Sequence, residues 1–245
     1  MSDYEVFYSA DGSTVVDIDD IQTDSAGSVE AYYSPNGTDL FQFWPREVVI
    51  DDFEAYGGSL SLSDRYTLTG TGSSSVTSSA SIAPGSTQGL RQHEFQNIWS
   101  MVGEGLENYP QDGVPFEWWF RPQSSGSGDQ YHVLFAHQSS SAAADRYQVE
   151  IHRSGGARIS IRQGGSRQVI ATSGSDPSWS NVTYRARVVA DSSSGISFQV
   201  FTSGGGQIVD LSSGNTTWVA NEMSIGWWNS GNATVHYDGA MLVPG

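Results

Sequence analysis

The chain has no lysine and no cysteine. Without cysteine, neither a disulfide framework nor a thiolate metal site can form. No apolar run approaches the length of a membrane-spanning helix. The opening residues, MSDYEVFYSADG, lack the basic and apolar regions of a secretion signal, so membrane insertion is not expected and the product is expected to be made in the cytoplasm. All eleven cations are arginines, against 27 acids, for a net charge of −16. They form no dense basic stripe, which argues against nucleic acid as a partner. An acidic, lysine-free surface stays hydrated in concentrated salt, where repulsion is screened within a few Å. The composition therefore predicts a halophilic protein, with an ordinary acidic protein as the plainer alternative.

The charge is uneven. Residues 1–56 carry thirteen acids and one arginine, whereas residues 115–190 carry five acids and eight arginines. The middle of the chain is locally cationic on an acidic molecule.

What is present is β patterning. In Val114–Pro122 (VPFEWWFRP), Val114, Phe116, Trp118 and Phe120 alternate with Glu117, Trp119 and Arg121, which predicts a strand with an aromatic buried face. Short alternating runs follow at 131–136, 146–152, 157–162, 182–189, 196–201 and 207–211, separated by Gly/Ser turns. Met223, Ile225 and Trp227 form a further face, and Val235, Tyr237 and Met241 another. Residues 57–90 read as short strands and polar turns, and residues 90–109 fit either a helical turn or two strands. Such spacing points to an all-β antiparallel sandwich or jelly roll.

Residues 4–18 and 29–43 align at an offset of 25, sharing Glu5/Glu30, Tyr8/Tyr33, Ser9/Ser34 and Gly12/Gly37. Each reads as strand, Asp-Gly or Asn-Gly turn, strand, so the pair predicts a repeated β-hairpin. Lone hairpins are marginal in water. Residues 1–47 are therefore expected to be an attachment or oligomerisation unit, and residues 48–245 the jelly roll.

From about residue 49 to 243, the chain resembles the concanavalin A-like lectin/glucanase superfamily in its laminin-G-like form. The resemblance rests on DDFE (51–54), GLRQ (89–92), FEWWFRP (116–122), YQVEIHRSGGARISIR (147–162) and VHYDGAMLV (235–243). It implies two sheets, one often concave and saccharide-binding, and in some members calcium held by acids near the domain's two ends. Similar stretches resemble proteins of haloarchaeal viruses.

Three kinds of site follow. Trp119, Arg121, His132, Gln148, Glu150, His152, Arg158 and Arg162 take the outward parity of their strands. An aromatic platform beside planar polar groups suits a sugar, and arginine grips carboxylate or sulfate in two bonds. A solvated sheet face with Arg–Glu pairs is the equal alternative. Catalysis by paired carboxylates is not expected, because Glu117 and Glu150 are isolated acids. The resemblance to lyases of this fold is also partial: Gln148 and His152 are present at a different spacing, without a Tyr/Lys strand. Asp52, Glu54 and Asp238 are candidate ligands for a structural calcium, with surface acidity as the slightly favoured account of these acids. The sequons at Asn36, Asn181, Asn215 and Asn232 read as chance in a Ser/Thr-rich chain.

Together these readings predict a non-enzymatic surface protein of a haloarchaeal virion, a capsid turret, decoration, tail or baseplate component assembled in the host cytoplasm. Its jelly roll would touch host glycans, and residues 1–47 would join other virion subunits, giving a homo-oligomer. A polysaccharide-degrading enzyme and a decoration protein without ligand are the alternatives.

Overall fold

The computed structural model describes five short strands within residues 7–43, then residues 48–58, 60–93, 96–100, 112–124, 130–137, 144–153, 156–174, 179, 181–217, 224–230 and 234–243. Two compact units divide the chain, residues 1–48 with 244–245, and residues 49–243.

The first unit holds β1 (Phe7–Tyr8), β2 (Val16–Asp17), β3 (Gln22–Thr23), β4 (Val29–Tyr33) and β5 (Phe41–Phe43). β1 pairs with β2, aligning Tyr8 with Val16, and β4 pairs with β5, aligning Tyr33 with Phe41. Adding 25 to the first pair gives the second, so the two hairpins share one register. β3 adds a strand beside β4.

The second unit is a sandwich of two antiparallel sheets. Its early elements are β6 (Val48–Asp51), a one-turn helix α1 (Leu62–Arg65), β7 (Tyr66–Gly70), β8 (Ser73–Thr77), β9 (Gly89–His93) and β10 (Gln96–Ser100). The long strands follow: β11 (Phe116–Ser124), β12 (Gln130–His137), β13 (Arg146–His152), β14 (Gly156–Gln163) and β15 (Ser166–Thr172). The last are β16 (Tyr184–Asp191), β17 (Gly195–Thr202), β18 (Gln207–Ser213), β19 (Ser224–Ser230) and β20 (Thr234–Leu242). One sheet has seven strands in the order β15-β14-β13-β12-β19-β10-β7. The other runs β18-β17-β16-β11-β20-β9-β8, with β6 paired to β20. This is an all-β jelly roll preceded by a small β-hairpin unit.

Aromatic side chains join the sheets. Phe116, Trp118 and Phe120 of β11 are buried as their alternation predicts. Trp118 meets Trp227 of the facing sheet edge-on at 6.4 Å, and Phe53 packs against Trp227 at 6.0 Å. Each such ring is worth about 0.5–1.5 kcal/mol beyond the apolar area it buries.

Three departures from the sequence pattern have local causes. Leu62 opens α1 instead of continuing a strand: Asp64 Oδ2 accepts from Ser61 N at 2.5 Å and Ser61 Oγ at 2.8 Å, closing a helical turn. Of the two readings of residues 90–109, two strands is the one found in the described part: 89–93 and 96–100 are strands, in different sheets. Pro122 lies inside β11 where pairing with β16 has already ended at Phe120 and the β20 register shifts, so no ladder donor is missed. Met241 does not share the face of Tyr237. An extra residue in β20 near Gly239 (φ 55°) resets the parity, so Met241 pairs with outward Glu117 and Leu242 takes the buried place.

Candidate functional site

The outer face of the seven-stranded sheet carries a polar lattice. Along β13, Tyr147, Val149 and Ile151 face the core, so Arg146, Gln148, Glu150 and His152 take the opposite face. The expected solvated ladder is a correction: all four of these polar side chains are buried, Glu150 completely. Burial of a carboxylate is costly unless hydrogen bonds satisfy it. Here they do. Oε1 of Glu150 accepts from Gln148 Nε2 and from Arg167 Nε, both at 2.7 Å. Oε2 accepts from Arg167 Nη2, and His152 Nε2 lies 2.7 Å from it. Arg146 Nε in turn donates to Gln148 Oε1 at 3.2 Å.

Strand register extends this chain sideways into three rows. The first is Arg146–Arg162–Arg167 across β13, β14 and β15. The second is Gln148–Ser160–Val169. The third crosses most of the sheet, running Arg158–Glu150–His132–Trp228–Asn97 from β14 to β10. In the first row three like charges lie side by side. Burial, then the neighbouring Arg162 charge, pull the Arg146 guanidinium down to about 10, against the opposing attraction of Glu150. Trp228 is half-buried and lies on the face opposite the core residue Trp227.

The predicted site residues do not form one surface. Gln148, Glu150, His152, Arg158 and Arg162 share the seven-stranded sheet, as does the strand position of His132, whose side chain lies outside the described residues. Trp119 and Arg121 belong to β11 in the other sheet, and their outward faces point away on the far side of the sandwich. Trp119 sits over Gly239, where an added Cβ would lie 3.2 Å from its ring. Arg121 Nη2 donates to Ser79 O at 2.9 Å and lies 3.1 Å from His236 Nδ1. On that same outer face Glu117 is held by Arg187 Nε at 2.5 Å and Arg185 Nη1 at 3.3 Å.

The candidate calcium ligands are occupied otherwise. Asp238 Oδ2 accepts from Ile82 N at 2.7 Å and Ala83 N at 2.8 Å, and its Oδ1 accepts from Gly239 N at 2.8 Å. Glu54 Oε1 accepts from Thr87 N at 2.6 Å and Gln88 N at 3.1 Å. Asp52 Oδ1 accepts from Glu54 N at 3.0 Å. Among the described residues no three acids or histidines gather as a metal set. Asp238 and Glu54 tie the 82–88 loop to the strands instead, and Asp52 closes a local turn. The neighbouring Asp51 is buried, and its Oδ2 accepts hydrogen bonds from the Tyr56 hydroxyl at 2.6 Å and the Tyr66 hydroxyl at 2.7 Å.

Four residues of the lattice escaped the sequence reading. Arg146 shares parity with Gln148, and Ser160 lies between Arg158 and Arg162 at the same parity, so both were within reach of it. Trp228 follows core-facing Trp227 and had to point outward. Arg167 sits in β15, an edge strand whose burial pattern shows no alternation, so the strand itself went unread.

No family model matches the chain, and no curated protein matches it. Solved structures do. A carbohydrate-binding module, CBM66, from Bacillus subtilis aligns at 13% identity over 71% of this chain and 92% of its own, with a TM-score of 0.50. A Bacillus subtilis protein with a galectin-like fold aligns at 12% identity over 73% and 89%, also at 0.50. Lectin I-B4 from Griffonia simplicifolia, in its metal-free form, aligns at 13% identity over 80% and 97%, again at 0.50. The second unit thus shares the jelly-roll fold of these three structures.

Proposed function

We propose that the chain is a non-enzymatic glycan-binding protein, and that it binds through the outer face of its seven-stranded sheet. The row Arg158–Glu150–His132–Trp228 carries this reading. Neighbouring strands lie about 4.8 Å apart, so the row sets Trp228 and Arg158 about 15 Å apart along one line. That span suits two to three sugar rings, with the apolar face of one stacked on Trp228. Shared fold with a carbohydrate-binding module and a lectin supports the choice of ligand class.

Binding is favoured over hydrolysis because the two acids of the central strands cannot cooperate. Glu150 and Glu117 lie on opposite outer faces of the sandwich, each held by its own arginines. Glycoside hydrolysis needs two carboxyl groups within about 10 Å of one bond.

The finer placement is as a surface component of a haloarchaeal virion, meeting host glycans through the jelly roll and sister subunits through residues 1–47. Its support is the lysine-free, acid-rich composition and the aromatic hairpin pair. Glycan-array binding by the intact chain in molar salt, with Trp228→Ala alongside, is the test. Binding that the substitution removes supports the reading. Depolymerised products from any array polysaccharide, or binding indifferent to Trp228, contradict it.

A further inference from the structure

We infer that the glycan face contains a built oxyanion subsite on β14, formed by Arg158, Ser160 and Arg162, which takes a carboxylate or sulfate group of an acidic sugar. The inference rests on the glycan reading and names the class of sugar.

The first support is charge. Among the described residues, four arginines, Arg146, Arg158, Arg162 and Arg167, share this face with one carboxylate, Glu150. That carboxylate is spent. Both oxygens are taken by Arg167, and Gln148 and His152 fill the remaining positions. Among the described residues no carboxylate pairs with Arg158 or Arg162. A chain with 27 acids and eleven arginines has ample carboxylate, so an acid-poor arginine row is a local arrangement and not a consequence of composition. Like charges directly opposite each other in a sheet destabilise it. The row Arg146–Arg162–Arg167 is relieved when an anion lies against it.

The second support is independent of charge. Ser160 is fully buried, and its hydroxyl has no hydrogen-bond partner; the buried Nε of Arg162 has none either. Leaving such a group unpaired costs about 1–3 kcal/mol, so native folds rarely tolerate two together. Arg158, Ser160 and Arg162 are alternate residues on one side of β14, so the two arginines flank the serine along the strand. An oxyanion between them accepts from the serine O–H and from each planar N–H fork. In concentrated salt, steering from a distance is lost, and discrimination depends on such short, directed bonds.

The test is titration calorimetry on the full chain at one fixed ionic strength. The probes are a neutral dextran oligosaccharide, its sulfated counterpart and an oligogalacturonate, with the melting temperature read in parallel in sodium sulfate and sodium chloride. The expected result is a preference of about tenfold or more for one acidic probe over neutral dextran, collapsing in Arg162→Gln and falling in Ser160→Ala. The probe that wins separates sulfate from carboxylate recognition. Equal affinity for neutral and acidic probes overturns the subsite and leaves the glycan reading standing. Stabilisation by sulfate over chloride that depends on Arg162, with no oligosaccharide bound, supports the subsite and removes the glycan reading. No binding and no sulfate effect overturns both. If a variant fails to fold, the acidic-over-neutral preference of the unsubstituted chain at fixed ionic strength still decides, because sulfate stabilises folded proteins generally and its effect counts only where it depends on Arg162.

Discussion

Arg167 on β15 reaches past β14 to Glu150 on β13, donating Nε to Oε1 at 2.7 Å and Nη2 to Oε2. The acid is fully buried and the arginine about one-third exposed. Within its sheet the edge strand β15 pairs with β14 alone, so this forked pair ties it by side chains to the sheet's interior.

Glu150→Gln should therefore destabilise the jelly roll by about 2–3 kcal/mol, because it strands Arg167 and His152 without their acceptor. The partly exposed arginine keeps the cost below that of a fully buried pair. Denaturant melts of Glu150→Gln, Arg167→Gln and the double variant should give a coupling above about 1 kcal/mol. Additive losses would show the pair to be incidental.

A second expectation concerns acid. Burial, then the charges of Arg121 and Arg91, push His236 down from 6.5 to about 4. Below pH 6.5 the unfolded chain takes up a proton that the folded chain refuses until near pH 4. The stability His236 confers is thus complete above pH 6.5, falls as pH drops from 6.5 to 4, and changes no further below. After solvent screening this amounts to about 1–2 kcal/mol. Asp51 and Asp238, raised by burial, shift stability the other way as pH falls. The difference between the unsubstituted chain and His236→Asn isolates the histidine. A stability difference that does not change between pH 7 and pH 4 would contradict this.

Sequence periodicity located strands well and sheets poorly. The run 146–152 is recovered to the residue, because Tyr147, Val149 and Ile151 must share one face. Parity, however, names only the side of a strand, and a sandwich has two outer sides. Trp119 and Gln148 both point outward, but from different sheets. Nor does parity reveal burial, which for Glu150 depends on partners from β15. The bulge at Gly239 shifts parity within β20 and misplaced Met241 for the same reason.

The two tryptophans should accordingly separate. Trp119→Ala should lower stability, since the ring covers Gly239, without changing glycan affinity. Gly239→Ala should cost about 1–3 kcal/mol, because its φ of 55° disfavours a side chain and the new Cβ would lie 2.8 Å from that of Ala83. Trp228→Ala should weaken binding at least about tenfold, in line with the loss of one stacked ring. Loss of binding in Trp119→Ala with its melt unchanged would place the site on the other sheet.

Dilution below about 0.5 M salt should lower the melting temperature, because 27 acids lose screening. Deleting residues 1–47 should leave a folded jelly roll, since residues 49–243 form a compact unit with its own core, and should abolish self-association measured by light scattering. A melt indifferent to salt would remove the halophilic reading. A truncated chain that unfolds would place the first unit in the sandwich's own stability.

Amide hydrogen exchange with and without a saturating acidic oligosaccharide locates the binding face on the unsubstituted chain. Protection is expected in 130–137, 146–163 and 224–230, the strands that carry the Arg158-to-Trp228 row, with 184–202 unchanged. Protection confined to 184–202 and 116–121, the outer face with Trp119 and Glu117, would contradict it.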